Sequence, residues 1–321
     1  MRGPAKREIA YSKLCFLLFP ILFAAVCCTI VVDGLCARSV NDTIRGDGAD
    51  GLFRIRHPEG MERMAETVRR LLEESAGDIA FELGLNEIDT IIVYLARGDE
   101  DYEELHGAVL PEWSSAFSDP LAQVMGINAE AVLRAPRPVR TVIRHELSHL
   151  LLAQRVEGVR CPSWFMEGLA MMQSREWTFS DHWGLMNSVW KKNIPYLEDL
   201  EGPFPRKDSE ASLAYRISYA AVEELLAERK GALVTLTAFT RDLGDFDRAF
   251  LLTFGESVDH YSARFHVMIT GRYRTIGTFV QSMPYWSGAA VLFLIAYTVK
   301  RIKNRRRLRQ WETDDTDAPR F

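Results

Sequence analysis

Leu52-Phe-Arg-Ile-Arg56 alternates apolar and charged residues, and that two-residue period predicts a strand. From Glu59 to Leu83 the apolar period lengthens to that of an amphipathic helix, with a break expected near Gly77. Thr90-Ile-Ile-Val-Tyr-Leu95 is a short β-branched run of the kind that makes a buried strand, and Val124 to Leu133 reads as edge strands. From Val139 to Tyr273 the pattern is mostly helical, broken at Gly202-Pro-Phe-Pro205, with Gly231, Gly244 and Gly255 as helix ends. A sheet with one helix therefore comes first and a run of helices follows.

Two longer apolar stretches lie outside this middle region. Arg2, Lys6, Arg7 and Lys13 precede an uncharged run from Leu14 to Val32, so residues 1–36 read as a signal peptide or signal anchor, with 37–50 as a linker. Phe279 to Val299 is also uncharged, and at about 1.5 Å per residue a helix of that length covers about 30 Å. Lys300, Arg301, Lys303, Arg305, Arg306, Arg307 and Arg309 follow at once, as on the cytoplasmic side of a membrane helix, with Tyr285 and Trp286 near the opposite end. The expectation is a transmembrane helix over 279–299, a basic then acidic cytoplasmic tail over 300–321, and a domain at 51–273 facing the periplasm or the exterior. A buried core helix or a nucleic-acid-binding basic run would account for the same residues, but their adjacency argues against both.

Composition adds little and excludes some classes. A net charge of −5 gives no reason to expect a polyanionic partner, so no nucleic acid is expected. Of five cysteines only Cys36 and Cys161 lie beyond the first apolar run, which is too few for a disulfide framework.

The chemistry concentrates in Thr141-Val-Ile-Arg-His-Glu-Leu-Ser-His-Leu150. His145 and His149 stand at i and i+4, on one helix face with Cβ atoms about 5–6 Å apart, close enough for both imidazoles to reach one ion. Glu146 completes the HExxH pattern as the base that deprotonates water beside a zinc ion. Ala135-Pro-Arg-Pro-Val139 gives this helix a rigid entry, and Val142, Ile143, Leu147, Leu150 and Leu151 give it an apolar side. A catalytic zinc needs a third protein ligand. The metzincin arrangement is excluded, because Leu152 and Arg155 occupy the positions where it requires Gly and His. Glu167, on the second turn of a helix opened by Pro162 and Ser163, is one candidate, and His182 is a rival. His57, His106, His260 and His266 have no partner at ligand spacing.

His145-Glu-Leu-Ser-His149 followed by Trp164-Phe-Met-Glu-Gly-Leu-Ala170 resembles the peptidase MA-like domain of the gluzincin metallopeptidases, over roughly residues 50 to 270. Ile194 to Pro205 and Ala214 to Val222 look like the segments that follow the zinc site in such domains. The resemblance implies zinc held by His145, His149 and Glu167, with Glu146 as general base. It also implies an α+β, gluzincin-like domain: an N-terminal mixed-sheet lobe, an active-site helix and a C-terminal helical lobe with a cleft between, and edge strands that bind the substrate backbone. One departure stands out. The best-known gluzincins carry an Asp four residues after the ligand Glu to orient the first histidine, and that position here is Met171. Tyr215 and Tyr219, at i and i+4 on a helix expected over Ser212 to Arg229, are candidate oxyanion donors; packing on an apolar stripe is the competing account.

The expected activity is a membrane-anchored zinc metallopeptidase, one zinc per chain, acting on peptide or protein substrates outside the cytoplasm. A zinc hydrolase for another amide or cell-envelope substrate, and a non-catalytic metal-binding scaffold, are the alternatives.

Overall fold

The structure is a computed structural model and describes residues 51–106, 115–191, 194–202, 204 and 208–316. It is α+β, with one small mixed sheet and a larger number of helices. Strand β1 (Phe53–Arg56) leads into helix α1 (Glu62–Leu83), which crosses to β2 (Ile91–Ala96), parallel to β1. Helix α2 (Asp99–His106) follows, then β3 (Ala116–Asp119) and β4 (Val124–Asn128). The strand order is β1-β2-β4-β3, with β4 parallel to β2 and β3 antiparallel to β4.

Two local expectations fail here for identifiable reasons. Helix α1 runs unbroken through Gly77, because that glycine faces open space and a single helical glycine costs only about 1 kcal/mol. Val124 to Leu133 is not a pair of edge strands. Its first half is β4, inside the sheet, and its second half is helix α3 (Ala129–Arg134). The switch is made by Asn128, whose side chain accepts from the Ala131 amide at 3.0 Å and caps the helix. The edge next to the functional site is β3, which the sequence pattern had not marked.

After α3 the chain is helical: α4 (Val139–Arg155), α5 (Ser163–Ser174), α6 (Phe179–Trp190), α7 (Asp208–Glu228), α8 (Ala232–Leu243), α9 (Phe246–Phe254) and α10 (Val258–Thr316). Gly231, Gly244 and Gly255 all flank helices in the left-handed conformation, as the pattern predicts. Helix α4 packs on α1, α5 and β3. Its burial is unusual for its polarity: Arg144, His145, Glu146, Ser148 and His149 are buried along with Val142, Ile143, Leu147 and Leu150 to Leu152. Helix α5 lies between α4 and α7, and its approach to α7 is close at Gly168, where a Cβ would stand 2.2 Å from the Ser218 carbonyl oxygen.

The proposed N-terminal signal or anchor segment lies outside the described residues. The stretch Phe279 to Val299 falls within α10, where Trp286, Leu292, Phe293 and Leu294 are exposed. Among the described residues no helix is long and apolar enough to cross a membrane.

Candidate metal centre

The site forms where α4 meets α5. Pro138 caps α4 and Pro162 caps α5, each fixing the extended backbone from which its helix starts. The register between the two helices is held by polar contacts beside the site: Ser148 Oγ donates to Gln173 Oε1 at 2.6 Å, Arg144 Nε donates to the Gln173 carbonyl at 2.8 Å, and Gln173 Nε2 donates to Glu82 of α1. Fixed in this way, the turns of α4 bearing His145 and His149 face Glu167 of α5.

His145, His149 and Glu167 each offer a ligand atom, and these atoms all lie within 4.8 Å of one another. Glu167 Oε2 is 3.4 Å from His145 Nε2 and 3.5 Å from His149 Nε2. Ligands about 2.0–2.1 Å from a tetrahedral zinc would be separated by roughly 3.3–3.4 Å, so these spacings suit a shared ion. They are too long for good hydrogen bonds. Glu167 Oε2 and His149 Nε2 are buried with no hydrogen-bond partner among the described residues, an arrangement that is costly unless a further group satisfies them; His149 Nδ1 is likewise buried without one, and an ion at Nε2 would leave it so.

Charge points the same way. Glu146, Glu167 and Glu176 are all buried here, and among the described residues the guanidinium paired with them is that of Arg137, on Glu176. Three carboxylates against one guanidinium leave two negative charges, which a divalent cation would neutralise. Without one, protons take up part of the excess. Burial alone disfavours the His145 imidazolium, but Glu176 and Glu167 outweigh it and push its pKa up to about 10. Burial also opposes ionisation of Glu167, but His149 and His145 outweigh it and hold that carboxyl down at about 2. The residues present fit a zinc ion.

Glu146 differs from the three ligand candidates in its surroundings. Its Oε2 accepts from Ser118 Oγ at 2.7 Å, from the edge strand β3, while its Oε1 is buried without a hydrogen-bond partner among the described residues. Burial pushes its pKa up, against the pull of His145, His149 and the Ser118 hydroxyl. A carboxyl with one oxygen anchored, the other open and its proton affinity raised has the character of a general base.

The structure brings His145, His149 and Glu167 together, with Glu146 buried next to His145 on α4, and among the described residues His182 is not in the cluster. The His182 ring instead stands edge-on to Trp177 and near the Tyr273 hydroxyl. Tyr219 stacks on Trp177 with ring centroids 4.1 Å apart, and its hydroxyl donates to Glu223 at 3.1 Å. Tyr215 packs with Met171 and Tyr219 in a small apolar cluster and is in contact with Phe204.

Three contributors had escaped the sequence reading. Ser118 gave no spacing signal. Arg137 was visible only as part of the rigid Pro-Arg-Pro entry. Glu176 sits 3.0 Å from His145 Nδ1, and Arg175, in the left-handed conformation at φ 58°, turns the chain back at the end of α5 so that Glu176 reaches α4. The available signal was that Glu176 is the first acidic residue after Glu167.

No protein-family model matches the chain, and no curated protein matches it.

Proposed function

We propose that this chain is a zinc-dependent metallopeptidase of gluzincin type. The observation that carries the reading is the buried convergence of His145, His149 and Glu167 next to a carboxyl, Glu146, that is held by one oxygen only. A zinc ion held by those three side chains would supply Lewis acidity, making water acidic near neutral pH and polarising a carbonyl.

The protein's own groups do the rest. Ser118 fixes Glu146 through Oε2 and leaves Oε1 to receive the proton of the attacking water. As the hydroxyl oxygen bonds to the carbonyl carbon and the C–N bond breaks, Glu146 passes that proton to the departing nitrogen. Tyr219 takes no part in these steps, because its hydroxyl donates to Glu223. The preference for peptides over other amides rests on the resemblance in the two motifs.

We infer further that the chain is attached to a membrane through α10, with the site outside the cytoplasm. Support comes from the exposed Trp286, Leu292, Phe293, Leu294 and Ile295 and from the basic residues that follow them in the sequence. Flotation of the full chain with lipid vesicles tests this, and loss of flotation on removing residues 274–321 is the expected control. A full chain that stays with the soluble fraction removes the membrane element and leaves the site untouched.

The direct test of the activity is zinc content of the detergent-purified full chain together with cleavage of a peptide library. We expect about one zinc per chain and cleavage that Glu146→Gln abolishes while keeping the metal. A zinc-loaded protein inert to every peptide shifts the reading to another amide or to a scaffold. Full hydrolysis by Glu146→Gln, in protein free of contaminating protease, would reject the mechanism.

A further inference from the structure

We infer that Glu176 is the positioning residue for the metal centre, taking the part left open by Met171; the inference rests on the zinc reading above. A partner on the ring nitrogen that faces away from the ion fixes both the tautomer and the orientation of a metal-binding histidine. His145 has such a contact in Glu176 Oε1, 3.0 Å from Nδ1, while its Nε2 faces Glu167. With the Nδ1 proton donated to a carboxylate, Nε2 keeps its lone pair for the ion.

The neighbouring groups hold Glu176 to this task. Its second oxygen accepts from Arg137 Nη1, so the carboxylate is gripped from both sides and cannot rotate away from the ring. Arg137 stands between Pro136 and Pro138, immediately before α4, so a rigid segment carries the grip. Glu176 is 6% exposed, and a carboxylate so deeply placed is retained at a cost unless it is paired on both oxygens, as it is here. By contrast, Met171 belongs to an apolar cluster with Tyr215 and Tyr219 and has no polar group to offer His145. The nine-residue separation of Glu176 from Glu167 is bridged by the remaining turns of α5 and the left-handed Arg175, which returns the chain to α4.

The test is zinc affinity of the detergent-purified full chain, measured by competition with a chromophoric chelator, for wild type, Glu176→Ala and Glu176→Gln. The same proteins are loaded with cobalt(II) for the visible spectrum, which reports ligand geometry. Glu176→Ala is expected to weaken zinc binding about 10- to 100-fold and to alter the cobalt spectrum, while the metal-free protein keeps its helical circular dichroism. Glu176→Gln, whose amide oxygen still accepts from Nδ1, is expected to lose less. A merely structural role would lower the melting temperature of the metal-free protein and leave the affinity and the cobalt spectrum of the folded protein as in wild type; that result overturns the inference. If Glu176→Ala does not fold, Glu176→Gln decides alone: wild-type affinity and spectrum overturn the inference, and a weaker site with a changed spectrum upholds it. Wild type that takes up no zinc overturns the metal reading as well, whereas wild type that binds zinc beside unaffected variants overturns only the role of Glu176.

Discussion

Gly168→Ala is the substitution whose sign the structure determines against local expectation. In the interior of an ordinary helix, Gly to Ala stabilises by roughly 0.5–1 kcal/mol, because alanine loses less backbone entropy on folding. Gly168 follows the proposed ligand Glu167 in α5, and a Cβ there would lie 2.2 Å from the Ser218 oxygen, 2.6 Å from the Ser218 carbonyl carbon and 2.7 Å from a Val222 methyl. The first two are backbone atoms of α7 and cannot turn aside as a side chain would. Restoring an ordinary contact near 3.4 Å requires α5 to retreat by about 1 Å. Overpacking of that kind costs about 1–3 kcal/mol, which outweighs the gain in propensity. Because α5 lies between α7 and α4, that retreat presses it toward α4 by more than the roughly 0.5 Å tolerance of a preorganised site, so Glu167 should be displaced from its place opposite the two histidines. Thermal unfolding of the metal-free protein together with the zinc-competition assay checks both effects. The expected result is a melting temperature lowered by several degrees and zinc binding weakened at least tenfold. Gly77→Ala on α1, where a Cβ would meet nothing within 4 Å, is the matched control and should stabilise. If Gly168→Ala melts no lower than wild type and binds zinc equally well, α5 does not rest on α7 at this point and the reasoning fails.

Other perturbations probe the surrounding groups. Ser118→Ala removes the 2.7 Å hydrogen bond that favours the ionised form of Glu146, so the Glu146 pKa rises further. A base is lost as pH falls through its pKa, so the acid limb of the kcat/KM profile should move to higher pH, with zinc content unchanged; an unshifted limb refutes the assignment of that contact. Tyr219→Phe keeps the stack on Trp177 and loses only the bond to Glu223, so kcat should stay within about threefold of wild type, whereas a drop of about 100-fold would return Tyr219 to the oxyanion role. Cys161 is buried, and burial pushes its thiol up to about 12, so it should resist alkylation at pH 8 in the folded protein and react once denaturant is added; rapid labelling of the native state contradicts its placement.

The helical spacing of His145 and His149 determined by itself that the two imidazoles share a face, because an i, i+4 relation is a property of the α-helix and needs no tertiary information. The second motif likewise gave Glu167, and the glycines at 231, 244 and 255 announced helix ends through a conformation that other residues rarely adopt. The first helix and the strands on either side of it were legible for the same reason, each being written in a local period, though neither the parallel pairing nor the helix's continuity through Gly77 was.

Tertiary structure decided what lies further apart along the chain. Whether Val124 to Asn128 is an edge or an interior strand depends on whether another strand pairs beside it, and β3 does. The contacts of Tyr219 with Trp177 and Glu223 are likewise not implied by its place in a helix. The partners of the HExxH side chains are the clearest case: Ser118 reaches Glu146 across 28 residues, and Glu176 reaches His145 across 31. No period in the sequence encodes such separations. They are set by the direction of each chain reversal, such as the left-handed turn at Arg175, and by the packing that fixes α4 against α5 and β3.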